Sequence, residues 1–441
     1  MRKVQCIAVK FGGSSLADAE HFRIVKDIMF EDRSRRYVVP SAPGRIFAED
    51  KKVTDMFYEC HDLARRGENI DSCFDLIKER YNSIIDGLDL DFDLSDEFVK
   101  IKNAILHHAG EDYAASRGEY LSGLVLANYL GFDFIDAAKV IYFKANGSFD
   151  AENTNHVLGE VLKSHKYAVI PGFYGSMPNG TIKTFSRGGS DITGSIVARA
   201  SQADVYENWT DVNGFLMADP RIVKDPKLID IVTYTELREL SYMGAGVLHE
   251  ESIFPVRFAG IPIKIKNTND RSAPGTVIVP ETKVFDTKQV ITGIAGKKGF
   301  SVISIEKDMM NSEVGFCRKV LSVLEDLGIC FEHLPSGIDT MCVIVNTPDI
   351  SHYREKIKNE ICESVMPDSI SIEDGLALVA VVGRAMVQNR GTAAKVFKAV
   401  ADAGINVRMI DQGSSEYNII LGVSESDFEK TVNAIYNEFV K

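Results

Sequence analysis

The chain has 441 residues, 45% of them hydrophobic and 26% charged, a balance that excludes a disordered or fibrous protein. Acidic groups exceed basic ones by 63 − 50 = 13, so nucleic acid and anionic membrane are disfavoured as general partners, and any phosphate must be bound by local features. At about 100 to 200 residues per domain, this length calls for about two to four domains.

From the N-terminus, VQCIAVKF is a short, largely apolar run with Lys10 near its end, and it meets Gly12, Gly13, Ser14 and Ser15. Its apolar stretch, broken by Lys10 and Gly12, is too short for a signal peptide or a membrane span. A helix is expected from about Ala17 to Phe30, then a strand in RYVVPSA, then mainly helical sequence from Thr54 to Leu130. Further strands are expected in YAVIPGF, ADVYENWTD and IPIKIKN. Unalternated strands separated by helices predict an α/β domain over residues 1–280, with a mostly parallel sheet sandwiched by helices.

The remainder carries an internal repeat, found by sliding the chain 76 positions without gaps. Met310 then meets Met386, Gly315 meets Gly391, Asp326 meets Asp402, Gly328 meets Gly404 and Gly337 meets Gly413. Each copy reads strand, glycine-marked loop, helix, strand, strand, and a final helix closes the second, which predicts two α+β ferredoxin-like units. Their expected spans are 290–365 and 366–441, in tandem or with interleaved strands. The seven cysteines, odd in number and with no C-x-x-C pair, predict neither a disulfide framework nor a zinc cluster and fit a reducing, cytoplasmic setting. The histidines form no ligand set, so a metal is expected only as Mg²⁺ brought by a nucleotide.

Three segments carry chemistry. In KFGGSS, glycines at a strand-to-helix turn allow backbone N–H groups to approach a phosphate, and Lys10 can neutralise transferring oxygens; a tight turn beside a solvated lysine would read the same way. In SRGGSD, Arg187 suits a planar carboxylate, and Asp191 is either an acceptor for an ammonium group or a helix N-cap. In WTDVNGFLMADPR, Thr210, Asp211, Asp219 and Arg221 crowd a turn-rich stretch after a strand, where Asn-Gly and Asp-Pro are also ordinary turn formers. The single Trp209 reads as a packing residue.

Together and in this order, these segments resemble the amino-acid kinase family, specifically the aspartate kinases, which share K-F-G-G-[ST]-S, [ST]-R-G-G-S-D and W-T-D-V-x-G…D-P-R. The likeness extends through SAPG at Ser41 to Gly44, SRGEYLS at Ser116 to Ser122 and GAGVLH at Gly244 to His249, and the repeats resemble paired ACT domains. It implies phosphorylation of the β-carboxylate of L-aspartate by Mg-ATP. Lys10 and Asp191 would be catalytic, with Lys10, Gly12, Gly13, Ser14, Thr210, Asp211, Asp219 and Arg221 around ATP. Arg187 would grip the substrate α-carboxylate, Glu119 and Asp191 would face its ammonium, and Ser41, Thr54 and Ser190 would orient the rest. The resemblance also implies a homodimer or homotetramer and feedback by an amino acid, lysine first and threonine second. The effector would bind near Asn311, Val314, Gly315 and Phe316. Leu216 and Gly246 depart from the family pattern, which has tyrosine and lysine there. Alternatives are an amino-acid kinase with another acceptor, such as acetylglutamate or glutamate, and a catalytically weak amino-acid sensor.

Overall fold

The computed structural model describes residues 5–186, 188–245, 248, 250–281 and 289–440. The chain divides into two compact units: Met1–Phe215 with Asp230–Tyr234 and Val247–Val284, and Leu216–Ile229 with Thr235–Gly246 and Phe285–Lys441.

The first unit holds strands β1 (Ile7–Phe11), β2 (Arg35–Pro40), β3 (Asp133–Phe134), β4 (Ala168–Val169), β5 (Tyr174–Ser176), β6 (Ile182–Thr184), β7 (Val205–Thr210), β8 (Ile231–Thr233), β9 (Ile263–Asn267) and β10 (Thr276–Val279). Eight of them form one sheet in the order β3-β4-β2-β1-β7-β9-β10-β8, while β5 and β6 make a separate hairpin. Every pair in the large sheet is parallel except β9 with β10. All five residues of β1 are buried, as expected of a central strand covered on both faces. The helices are α1 (Ala19–Glu31), α2 (Val53–Arg65), α3 (Asp71–Gly87), α4 (Ser95–Leu106), α5 (Glu111–Leu130), α6 (Ala151–Lys163) and α7 (Gly189–Ala200).

The turn after β1 differs from the expected helix start. Gly13–Leu16 is a short 3₁₀ helix, and α1 begins only at Ala19, capped by Asp18, whose carboxylate accepts the His21 amide at 3.0 Å. The glycines therefore do not stand at the N-terminus of α1. Two of the helices pack closely through glycines of their own. A Cβ on Gly118 of α5 would lie 2.7 Å from the Ala42 Cβ, and one on Gly194 of α7 would lie 2.3 Å from Tyr206 Oη. Helix α7 can thus lie directly on β7.

The sequence continues with α8 (Tyr234–Tyr242) and α9 (Phe254–Ala259). The second unit is built mainly on strands β11 (Gly293–Glu306), β12 (Phe331–His333), β13 (Thr340–Asn346), β14 (Ser369–Val382), β15 (Met409–Asp411) and β16 (Asn418–Ser424). Its helices after α9 are α10 (Phe316–Asp326), α11 (Thr347–Ile350), α12 (Arg354–Val365), α13 (Thr392–Asp402) and α14 (Phe428–Phe439). All six strands join one sheet, β12-β13-β11-β14-β16-β15.

The two 14-residue strands β11 and β14 run antiparallel along the middle and serve both repeats. Residues 300–306 of β11 pair with β13 and with 369–376 of β14. Residues 376–382 of β14 pair with β16, and 378–382 also pair with 293–297 of β11. The first βαββαβ order is thus continuous in sequence, whereas the fourth strand of the second copy comes from residues that precede the first. A core of Ile303, Phe316, Val320, Val343, Ile357 and Ile361 fills the first copy. The outer strands β12 and β15 are linked by one side-chain contact, His333 Nδ1 lying 2.6 Å from Asp411 Oδ2.

Candidate active site

The carboxyl ends of β1, β2 and β7 converge, which is where parallel α/β sheets bind ligands. Lys10, the fourth residue of β1, is only 7% exposed, and its Nζ lies 2.6 Å from Asp191 Oδ1 in the first turn of α7. Asp191 Oδ1 also accepts from Asn208 Nδ2 of β7 at 2.8 Å. Asp191 is therefore not the side-chain N-cap of α7, a position occupied by Gly188 in a left-handed conformation with φ +73°.

The Gly12 amide donates to Trp209 O at 3.0 Å, which ties the glycine turn to β7. The Gly13 and Ser14 amides donate to no backbone carbonyl among the described residues, so two N–H groups remain for an anion. Gly13 is required by close approach: a Cβ there would lie 2.9 Å from Ala42 O, and one on Gly44 would lie 2.7 Å from the Gly13 carbonyl carbon. The Gly44 amide donates to Gly13 O at 2.8 Å, which fastens the SAPG turn over the glycines. Ser41 follows β2, and its amide donates to Phe11 O at 3.1 Å. Thr54 lies in the first turn of α2, where the Val53 amide reaches Pro43 O at 3.3 Å. Behind the turn, the buried Arg80 donates to Gly44 O at 3.0 Å and pairs with Asp50 at 2.6 Å.

Glu119 is the least expected member. A carboxylate in a helix is ordinarily solvated, yet Glu119 is 5% exposed within α5, and its Oε2 has no hydrogen-bond partner among the described residues. Burial pushes its carboxyl up to about 8, only partly countered by the Ala42 amide and by the charges of Arg117 and Lys10. Arg117 is itself buried and stacked among Tyr113, Tyr120 and Tyr174. Ser190 abuts Gly172, where a Cβ would lie 2.7 Å from the Ser190 Oγ, and the Gly172 amide donates to Pro40 O at 3.1 Å.

At the end of β7, the Thr210 carbonyl accepts the Thr268 amide at 2.8 Å, and Thr268 Oγ1 lies 2.7 Å from Ser15 Oγ. Thr210 Oγ1 donates to the exposed Asp211 at 3.2 Å. Trp209 is buried and stacks on Phe11 with ring centroids 6.2 Å apart, a packing role. Asp219 and Arg221 belong to the second unit. There the Arg221 guanidinium donates to Asp219 Oδ1 at 3.0 Å and to Oδ2 at 2.6 Å, and holds that carboxyl below its usual range. Arg187, Gly246 and His249 lie outside the described residues.

Lys10, Gly12, Gly13, Ser41, Glu119, Asp191 and Thr210 thus gather in one unit around a buried cation, two buried or half-buried carboxyls and free backbone donors. Sequence reading did not single out Asn208. Its signal was an amide beside Glu207 inside an otherwise apolar central strand.

The profile of the amino acid kinase family matches residues 5–267, and that of the ACT domain matches residues 379–439. Fold and site therefore define the class of amino acid kinases that carry ACT domains. Aspartokinase 3 of Bacillus subtilis is 38% identical over 98% of this chain and 98% of its own. The chloroplastic bifunctional aspartokinase/homoserine dehydrogenase 2 of Arabidopsis thaliana is 29% identical over 98% of this chain, which spans 50% of that longer protein. The crystal structure of Clostridium acetobutylicum aspartate kinase, an allosteric enzyme, superposes with a TM-score of 0.92 at 53% identity, over 98% of this chain and 100% of that one. Escherichia coli aspartokinase III in complex with aspartate and ADP shares the fold, with a TM-score of 0.75 at 24% identity over 99% of this chain and 100% of that one. The chain belongs to the amino acid kinase family and, within it, to the aspartokinases.

Proposed function

We propose that this chain transfers the γ-phosphoryl group of Mg-ATP to the β-carboxylate of L-aspartate, giving 4-phospho-L-aspartate and ADP. The observation that carries this reading is the buried Lys10–Asp191 pair, 2.6 Å apart beside the unpaired Gly13 and Ser14 amides, with the Glu119 carboxyl close by. The acceptor carboxylate is already ionised at neutral pH, so no general base is needed. One carboxylate oxygen forms a bond to the γ-phosphorus while the bond to the bridging oxygen of ADP breaks, and no proton changes place. Both partners are anionic, which makes charge neutralisation the task of the protein.

In this reading Lys10 turns from Asp191 to the phosphoryl oxygens, and the Gly12–Ser14 turn cradles the phosphates. Asp191 and Glu119 receive the substrate ammonium, Arg187 its α-carboxylate, and Ser41, Thr54 and Ser190 its remaining polar atoms. Thr210, Asp211, Asp219 and Arg221 serve the nucleotide. Mg²⁺, when bound with the nucleotide, would offset phosphate charge.

The ACT repeats give the chain amino-acid regulation, with lysine as effector ahead of threonine, near Asn311, Val314, Gly315 and Phe316. Val314 is 96% exposed there, and Gly315 takes φ +83° just before the buried Phe316. Operation as a cytoplasmic homodimer or homotetramer completes the reading. No described helix is long and apolar enough to cross a membrane. A coupled assay of ADP release with L-aspartate, L-glutamate as control acceptor, and lysine or threonine added at millimolar level tests it. Aspartate-dependent turnover is expected; turnover with glutamate alone would overturn the acceptor, and insensitivity to both amino acids would overturn the effector.

A further inference from the structure

Asn208 stands directly opposite Lys10 in the parallel register of β1 and β7. Side chains alternate along β7: Glu207 pairs with Arg35 at 2.8 Å and Trp209 stacks on Phe11, whereas Tyr206 and Asn208 reach the first turn of α7 on the other face. Both of these hold the same residue. Tyr206 Oη donates to the backbone carbonyl of Asp191 at 3.2 Å, and Asn208 Nδ2 donates to its Oδ1 at 2.8 Å. That Oδ1 is the atom which also pairs with Lys10 Nζ at 2.6 Å.

Asn208 is 3% exposed, and its own Oδ1 has no hydrogen-bond partner among the described residues. A buried amide with one orphaned acceptor destabilises a central strand relative to an apolar residue of the same shape. The carboxamide is thus poorly explained by packing and well explained by the donor it supplies. A carboxylate oxygen that keeps a neutral donor stays oriented, and part of its charge stays satisfied, when its cationic partner departs.

We propose that Asn208 is a positioning residue for phosphoryl transfer: it holds the Asp191 carboxylate in place while Lys10 leaves it for the phosphoryl oxygens. The inference rests on the aspartate-kinase reading of Lys10 and Asp191, and deepens it by naming what releases the lysine. The substituted residue acts through Asp191 and touches neither substrate in this account.

The test uses the full chain and four variants. Asn208→Leu and Asn208→Ala both remove the donor and the orphaned acceptor, and Leu keeps the branched shape of the side chain. Asn208→Asp replaces the donor with a second carboxylate against Asp191. The expected result is a kcat about tenfold lower in N208L and N208A and lower still in N208D, with the KM for aspartate raised as well, because Asp191 also receives the substrate ammonium. The melting temperature of N208L is expected to stay at or above that of the parent, which a purely structural role would not allow. Turnover within about twofold of the parent in all three, or losses of kcat that track losses of melting temperature, would overturn the proposal. Lys10→Ala is run beside them. If it retains full turnover, the underlying reading of the site fails; if it loses turnover while N208L and N208A do not, only the role of Asn208 fails.

Discussion

The site at the carboxyl edge of the parallel sheet and the loop before the first repeat's helix handle charge in opposite ways. At the sheet edge, Lys10, Asn208 and Glu119 are buried, and each is held by a partner from a different element. In the loop, Glu313 is grasped by Lys307 and by Lys319, the latter at 2.8 Å, yet all three side chains remain partly open to solvent, and Val314 and Met309 project outward. Phosphoryl transfer demands charges set in advance in a low-dielectric place, where each is worth more and none needs to reorganise. The loop proposed above to bind an effector would need contacts weak enough to be exchanged for those of a ligand.

The second repeat makes a useful control. A shift of 76 positions carries Lys307 to Gly383 and Glu313 to Asn389, so the ion-pair cluster of the first loop has no counterpart in the second, although Lys319 maps to Lys395. The backbone is nevertheless the same: Gly315 and Gly391 both take positive φ, +83° and +85°, immediately before α10 and α13. The two copies share a frame and differ in the charges mounted on it.

The contrast is broken most directly by Lys10→Ala, for which kcat is expected to fall about 10²- to 10³-fold with little change in the KM for aspartate, measured by ADP release. Next comes Glu119→Gln. Loss of a charged partner should raise the KM for aspartate about 10- to 100-fold. Because burial holds the Glu119 carboxyl near 8, an ammonium ligand must displace a proton at neutral pH. The KM of the parent is therefore expected to fall as pH rises from 6.5 towards about 8 and to level beyond it, and this slope should vanish in the glutamine variant. Stability moves the other way. A carboxyl raised from 4.5 to about 8 binds a proton in the folded state that the unfolded chain has lost, so the ligand-free fold weakens as pH climbs through that window. Thermal melts of the parent and of E119Q at pH 5 and pH 8.5 should diverge only at the higher value.

Smaller effects sharpen the contrast. Glu313→Gln is expected to leave turnover without effector unchanged and to raise the lysine concentration for half-inhibition about threefold or more, while Asn389→Ala in the second copy moves neither. Equal shifts in the two variants would mean that the loops are equivalent. Arg221→Gln, which opens a surface pair with Asp219, should raise the KM for ATP by a small factor of about two to five and leave melting untouched. An unchanged KM would remove Arg221 from the nucleotide site.

Much of this was legible in the residues. Lys10, the paired glycines and Asp191 stand in motifs whose chemistry can be argued from donors and charge, and unalternated apolar strands correctly announced a parallel sheet. Helix α1 starts at Ala19, two residues past the expected Ala17, because the Asp18 carboxylate caps it by accepting the His21 amide. The depth of Glu119 was hidden because α5 is buried along most of its length by small residues such as Gly118 and Gly123, which weakens the amphipathic pattern that would mark a face. Asn208 was hidden because an amide in a strand announces a cost without naming its partner. The sharing of β11 and β14 stood open between tandem and interleaved copies, because pairing between residues about 80 apart leaves no local mark in the sequence.

That shared strand pair has a consequence for how the chain is made. Synthesis releases residues 293–297 before either repeat exists, but their neighbours at 378–382 emerge only after the whole of the first repeat. The first copy can close as soon as residue 376 is out, whereas the leading segment of β11 waits as an unpaired edge. A ribosome that stalls or terminates between the two repeats would thus release a folded first copy with a sticky strand at its front, and the last stretch of translation is what retires that hazard.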